Sequence, residues 1–491
     1  MLLAVYFVVQ VLLRLWLPHA LELDEAEQIF YSQWLLPGYG PQPPLYNWLQ
    51  MAMFAFTGPT LVGLAVLKNA MLFSCYVFLA LAATQTLKDT RMQAVSVLAL
   101  LTLPQVSFIA QQDLTHTVAL LATSAMFIYA LFLTIRTGNA AAYALVGLAT
   151  GLGFLAKYNF VLLPVAAFLA LAMDKRFRDR IVDRRIFIAF AIAGVVALPH
   201  GLWLIDNLGA ATTDTLGKMA ANQASGRLSA MLTGLGSLAV AIVASSALTM
   251  AIFAGVLGKQ TITALRAQTP LTKMIERMFM IILIGLIVII VATGTTKIRE
   301  RWLDPFLLIL PLYLCLKIEA AGLVEVVTRK RLFPIAAAIL VVVPSILLAR
   351  VVAAPIIGKY TKLNLPFDSV MPKLLATFPS SPGVIIANHT HLAGNLRLAV
   401  PDVPVLSTEA AAFDLPFDWS QDRPALLIWR VGRSADGSMP DDLDQWLRSR
   451  QDMRDATVAP GKVTMPYHYG RDGDAYEFGY AWVYPPNGPT S

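Results

Sequence analysis

The chain has 491 residues, 57% of them hydrophobic and 14% charged, and its 38 Lys and Arg exceed its 31 Asp and Glu by seven. A soluble globular chain carries about 25% charged residues, so this composition argues against a single water-soluble domain. It also excludes a disordered chain, which holds far less Leu, Ile, Val and Phe. The two cysteines, Cys75 and Cys315, sit inside apolar blocks and read as core residues, not as a disulfide framework.

A helix crossing the hydrocarbon core needs about 20 mostly apolar residues. Eleven blocks qualify or come close: 1–17, 61–84, 94–110, 114–135, 141–156, 158–173, 186–205, 230–257, 277–294, 303–317 and 332–353. The 303–317 block is short and is expected to extend into its flanks. Residues 1–17 read as a span and not as a cleaved leader, because their start has no basic residue and Pro18-His19-Ala20 is a poor cleavage site. Loops that stay in the cytoplasm are rich in Lys and Arg. One alternating set of loops holds 17 of these residues and the other holds six. This split places the amino terminus in the cytoplasm and everything after residue 354 outside.

The first outer loop, 18–60, has no Lys or Arg but carries Glu22, Asp24, Glu25 and Glu27. The run DEAEQIFYSQWLL from Asp24 predicts a helix with Ile29, Phe30, Trp34 and Leu35 on one side. Gly38, Gly40 and Pro41 then break the chain. Pro43-Pro44 open a second helix, LYNWLQMAMFAF, closed by Thr57-Gly58-Pro59. Short helices rich in Trp and Tyr suit the bilayer interface, where Trp34, Tyr46 and Trp48 either anchor the chain or stack on a sugar. Asp24 has two readings. It is a helix N-cap with Glu27 completing a capping box, or a catalytic carboxylate at the membrane surface. Four acids with no cation in the loop motivate the second.

Further along, Asp113 lies in QQDLTHT at the outer end of the fourth block, and Lys157 lies in GLGFLAKYNF with almost no loop around it. Ionisable residues at membrane depth mark functional sites; the other reading for Lys157 is snorkelling to the interface. Loop 206–229 carries Asp206, Asp214, Lys218 and Arg227 with Asn222, Gln223 and Ser225, the polar makeup of a sugar-contacting loop. KIRERW puts Lys297, Arg299 and Arg301 in one short outer loop. An anionic ligand would hold them there, as would Glu300, Asp304 or lipid headgroups.

After residue 354 the balance turns slightly acidic, with 12 Lys and Arg against 15 Asp and Glu. Runs 383–387, 403–407, 425–431 and 476–484 read as strands, and 391–399 and 440–450 as helices. The expected plan is a polytopic α-helical membrane domain over 1–354 and a soluble α/β domain over 355–491. His389 and His391 are spaced like metal ligands but have no third ligand nearby, so no metal site is expected there. No phosphate-binding loop, dinucleotide fingerprint, zinc-protease motif or nucleic-acid signature is present in the sequence.

LELDEAEQ followed by GYGPQPPLYNWLQ resembles the first outer loop of the GT-C glycosyltransferases that use polyprenyl-phosphate sugars, among them protein O-mannosyltransferases and lipid A aminoarabinose transferases. QQDLTHT, GLGFLAKYNFVLLP and KIRERWLDPFLLILPLY are similar to that family's later segments and fall in the same order. QPPLYNW and ANHTHLAGNLRLAVPDVPVLS resemble bacterial members that modify lipopolysaccharide core and lipid A with galacturonic acid. One departure stands out: aminoarabinose-type members have Lys before the Pro-Pro pair, and here the residue is Gln42.

The resemblance implies a GT-C fold of about eleven spans in a bacterial inner membrane, with the tail in the periplasm. The implied donor is a sugar on a polyprenyl phosphate, and the implied acceptor a cell-envelope glycolipid. The alternatives are a protein acceptor, or a transporter of lipid-linked sugars, which would carry charges near span centres. Transfer would invert the anomeric centre. Asp24 would be the general base, and Glu25 would orient Asp24 or the acceptor. Asp113 would bind a sugar hydroxyl or steer a cation. Lys157, Lys297, Arg299 and Arg301 would stabilise the leaving phosphate, with Gln42, Tyr46 and Lys218 among the substrate contacts. No soluble cofactor is required, and a divalent cation at the acidic loop stays open.

Overall fold

A computed structural model describes residues 1–209, 226–328, 332–377, 381–431 and 438–486. The chain divides into two compact units. The first holds 1–8, 36–48 and 68–343; the second holds 9–35, 49–67 and 344–491. The division does not follow the single boundary at 354 expected from composition, because parts of the first two helices and of the acidic loop pack with the tail.

Among the described residues, six helices are long and apolar enough to cross a membrane. They are Leu61–Thr86, His116–Thr137, Ile186–Asp206, Arg227–Arg266, Pro270–Thr293 and Leu332–Val352. A seventh candidate is the pair Thr90–Thr102 and Gln105–Asp113, bent by 70°. Pro104 stands at the bend, where proline removes a helix hydrogen bond, and a turn of π-helix follows over Gln105–Ile109. Three further apolar helices, Leu2–Trp16, Ala140–Ala156 and Tyr158–Ala172, are shorter. The 303–317 block extends at its end to Ala320 but is not one helix. It breaks into Asp304–Leu307 and Leu310–Ala320, each with proline in its first turn. Eleven apolar blocks are therefore not eleven helices of spanning length.

The acidic loop contributes α2 (Leu23–Tyr31) and α3 (Leu45–Thr57), between α1 (Leu2–Trp16) and α4 (Leu61–Thr86). The helix expected over 24–36 stops at Tyr31, five residues early. Trp34 lies beyond its end, where the indole Nε1–H donates to the carbonyl of Asp414 at 3.0 Å.

The tail carries a five-stranded sheet in the order β2-β1-β3-β5-β4. β1 (Val384–Ala387) runs parallel to β2 (Val405–Ser407) and to β3 (Ala425–Arg430). β5 (Ala475–Tyr484) runs antiparallel to both β3 and β4 (Thr457–Pro466). Every β1 residue is buried: Ile385 and Ala387 enter one apolar core, Val384 and Ile386 another. That is how a strand covered on both faces reads as an unbroken apolar run. β4 has no signature in the sequence. Its residues TVAPGKVTMP are mostly exposed and include two prolines, a glycine and a lysine, which is edge-strand chemistry and hides the alternation.

Candidate active site

In the second unit, α2 is held from several sides. Phe30 joins the tail core with Phe367, Leu392 and Leu396. Ala26 and Ile29 pack with Phe54, Leu61 and Leu64. The helix is capped by Glu22 and Glu25, not by Asp24 and Glu27. The Glu25 carboxylate accepts the Glu22 backbone N–H at 3.2 Å.

The four acids of this loop are not without cations. Arg14 of α1 meets Glu25 at 2.7 Å, and Arg350 of the helix Leu332–Val352 meets Glu22 at 2.5 Å. Both carboxylates are almost wholly buried. The arginines lie 11 and 328 residues from their partners, beyond what a count within the loop can find. Arg14 also donates to the Pro18 and Ala20 carbonyls. Its charge, which stood alone inside the first apolar block, is thus bound into the chain turn that leads to α2. Asp24 and Glu27 differ from these two acids, since both are half-buried on α2.

In the first unit, two motifs separated by about 140 residues in sequence come together. Lys157 ends the helix Ala140–Ala156, and its Nζ donates to Thr117 Oγ1 at 2.9 Å. Thr117 is in the first turn of the 22-residue helix His116–Thr137. A cation at that end of a helix opposes the helix dipole, and the two positive features together complement an anion. Asn159 Nδ2 donates to the Trp302 carbonyl at 3.0 Å, tying the basic segment to this corner. The basic trio then divides. Lys297 and Arg299 are exposed, whereas Arg301 turns inward and its Nε is buried. None of the three side chains has an ion pair or hydrogen bond among the described residues.

Asp304, two residues past Trp302, is one of the acids that could neutralise the basic loop by sequence, and its site is more unusual. It is 3% exposed, and both carboxylate oxygens are buried with no hydrogen-bond partner among the described residues. Lys157, Arg301 and Glu300 are the charges that act on it. Asn159 Oδ1 is likewise buried with no hydrogen-bond partner among the described residues. The helix Asp304–Leu307 packs on His116–Thr137. Nothing local in the sequence marks this acid as buried, because the helix that covers it, His116–Thr137, is distant in the chain.

Gln42 is half-buried beside a bridge to Tyr39. Tyr46 is fully buried, its ring 6.1 Å from His116. Trp48 donates its Nε1–H to the Leu36 carbonyl at 2.8 Å, an anchoring contact. Asp113 is half-buried at the end of the bent pair. Lys218, with Asp214, Asn222, Gln223 and Ser225, lies outside the described residues.

In the tail, His391 is engaged at both ring nitrogens, by the Leu21 carbonyl at 2.7 Å and by Arg430. It cannot also bind a metal with His389. Among the described residues no three His, Cys, Asp or Glu side chains form a metal-binding group.

Comparison with known proteins matches this chain to a family and a fold. A model of the dolichyl-phosphate-mannose-protein mannosyltransferase family matches residues 41–203. The chain is 44% identical to the lipopolysaccharide core galacturonosyltransferase RgtB of Rhizobium johnstonii over 487 residues, 99% of this chain and 97% of that one. It is 44% identical over 488 residues, with the same coverage, to the core galacturonosyltransferase RgtA of that organism. Its fold is similar to that of ArnT from Cupriavidus metallidurans bound to undecaprenyl phosphate, with a TM-score of 0.63, 14% identity and 97% of each chain covered.

Proposed function

The chain belongs to the GT-C glycosyltransferase family that includes the lipopolysaccharide core galacturonosyltransferases, and from that membership we propose that it moves galacturonic acid from a polyprenyl phosphate to the lipopolysaccharide core. As a membrane glycosyltransferase it needs a lipid-borne donor on the side of the membrane that nucleotide sugars do not reach. In this reading all eleven apolar blocks cross the bilayer, the amino terminus is cytoplasmic, and the α/β tail is periplasmic.

The observation that carries the reading is the cationic corner of the first unit. Lys157 stands at a helix amino terminus, Arg301 points inward, and the side chains of the basic trio make no salt bridge among the described residues. An acceptor hydroxyl attacks the anomeric carbon as the bond to the lipid phosphate breaks, which inverts the centre. Negative charge grows on the departing phosphate, and fixed cations stabilise that charge best where water is excluded. Lys157 and Arg301 take this role, with Lys297 and Arg299 drawing the anion in from the surface. Gln42, Tyr46, Asp113 and Lys218 are assigned to the substrate. The phosphate is a weak base and leaves without a proton, so no soluble cofactor is needed. Activity in EDTA tests whether the acidic loop uses a divalent cation.

Asp24 is the proposed general base for the acceptor hydroxyl, a role that contributes about 10²–10⁴-fold. Its neighbour Glu25, ion-paired and hydrogen-bonded to the start of α2, positions Asp24 and does not touch the acceptor. The reading is tested with purified protein in lipid nanodiscs, given polyprenyl-phosphate galacturonic acid and lipopolysaccharide lacking that sugar. Transfer to the core supports it. Donor left intact in the presence of acceptor overturns it.

A further inference from the structure

The segment leading into α2 is gripped by the tail. Leu21 is fully buried, and both of its backbone groups are taken by side chains of the helix Thr390–Ala399. Asn395 Oδ1 accepts the Leu21 N–H at 2.8 Å. His391 Nε2 lies 2.7 Å from the Leu21 carbonyl oxygen. A carbonyl only accepts, so Nε2 carries the proton and donates. The other nitrogen, Nδ1, therefore accepts from the Arg430 guanidinium. Asn395 Nδ2 in turn donates to the His391 carbonyl at 2.8 Å, which ties the two gripping residues together. Phe367 lies edge-on to the His391 ring at 5.3 Å and beneath Arg430 at 5.0 Å.

The two helices touch backbone to backbone. A Cβ on Gly394 would lie 2.0 Å from the Ala26 carbonyl oxygen, so any side chain there pushes α2 away. Burial, and after it the Arg430 charge, push the His391 imidazole down to about 3. The ring stays neutral above that pH and keeps the single tautomer the contacts require. This is more apparatus than a docked domain needs. It fixes one residue, three before Asp24, through the N–H of the peptide that precedes it and the carbonyl of the peptide that follows it.

We propose that His391 and Asn395 are positioning residues for the transfer reaction: by clamping the Leu21 backbone on both sides of its Cα they set the place and angle of Asp24. The proposal rests on Asp24 being the base. A misplacement of about 1 Å in a reacting group lowers rate by about 10²-fold, so loosening the clamp acts on kcat and not on donor binding.

The test uses full-length enzyme in nanodiscs and a cycle of variants. His391→Leu is expected to lower kcat by about 10–100-fold with donor KM within about twofold, and to lower the melting temperature as well, since it strands the Leu21 carbonyl and Arg430. His391→Gln, whose Nε2 can still donate to the Leu21 carbonyl, is expected to restore most of kcat. Adding His391→Leu to Asp24→Asn should lower the rate no further, because the group being positioned is already gone. A His391→Leu rate within twofold of the parent, or a loss that multiplies with that of Asp24→Asn, overturns the proposal while leaving the base in place. Parental turnover by Asp24→Asn alone sinks the base assignment and the proposal with it. If His391→Leu does not accumulate as folded protein, Asn395→Ala, which strands the Leu21 N–H, takes its place in the cycle with the same expectations.

Discussion

Buried acids in the two units are treated in opposite ways. In the second unit, Glu22 and Glu25 each have an arginine within 2.7 Å, and Glu25 also accepts a backbone N–H. In the first, Asp304 is as deeply buried, yet neither oxygen has a hydrogen bond among the described residues. Burying a carboxylate without hydrogen bonds is costly, so a fold built only for stability would not keep Asp304 that way. The difference separates two acids held by ion pairs and hydrogen bonds from one that makes neither among the described residues.

The contrast can be broken by substitution, and the largest effect is expected on chemistry. Asp24→Asn should lower kcat by about 10²–10⁴-fold without changing resistance to heat, measured as turnover and as melting in detergent. Glu25→Gln should do the reverse of the second clause. It leaves Arg14 buried without its counter-charge, and breaking such a pair destabilises by about 3–5 kcal/mol. Replacing both partners, Arg14→Met with Glu25→Leu, should recover most of that stability, read in the same unfolding assay. An undiminished melting temperature for Glu25→Gln alone would show the pair to be ornamental.

Lys157→Met should weaken use of the donor by about 10–100-fold, the worth of one charge-assisted hydrogen bond to a phosphate at about 1.5–3 kcal/mol. Titration of polyprenyl phosphate into the variant measures it. Asp304→Asn sharpens the contrast with Glu25. It should leave melting unchanged or raise it, because no ion pair is lost and a buried charge is removed. Loss of stability as large as that of Glu25→Gln would place Asp304 with the structural acids. Smallest of all, Lys297→Ala with Arg299→Ala should change donor KM only about twofold and only at low salt, since exposed charges are screened within about 10 Å at 0.1 M.

Local chemistry was legible in the sequence, and distant pairing was not. Pro43-Pro44 did open α3, and the apolar runs at 383–387 and 425–431 are strands. The order of LELDEAEQ, AKYN and KIRERW along the chain was enough to suggest the GT-C group. By contrast, the cap of α2 was placed two residues late, because Asp24 is the better N-cap by propensity and tertiary contacts to Arg14 and Arg350 decided otherwise. β4 was lost because an exposed edge strand has no buried face to write a period into the sequence. Asp304 looks in sequence like a counter-charge to the basic loop, since nothing within a short window shows that both its oxygens are buried without a hydrogen bond among the described residues.

The most direct measurement compares the lipopolysaccharide of cells with and without this protein, by mass spectrometry of the released core and lipid A. The core from cells that make it should be heavier by galacturonic acid, with lipid A unchanged, and a plasmid carrying Asp24→Asn should fail to restore the heavier form. Cores of identical mass in the two strains, or full restoration by that variant, would contradict the account.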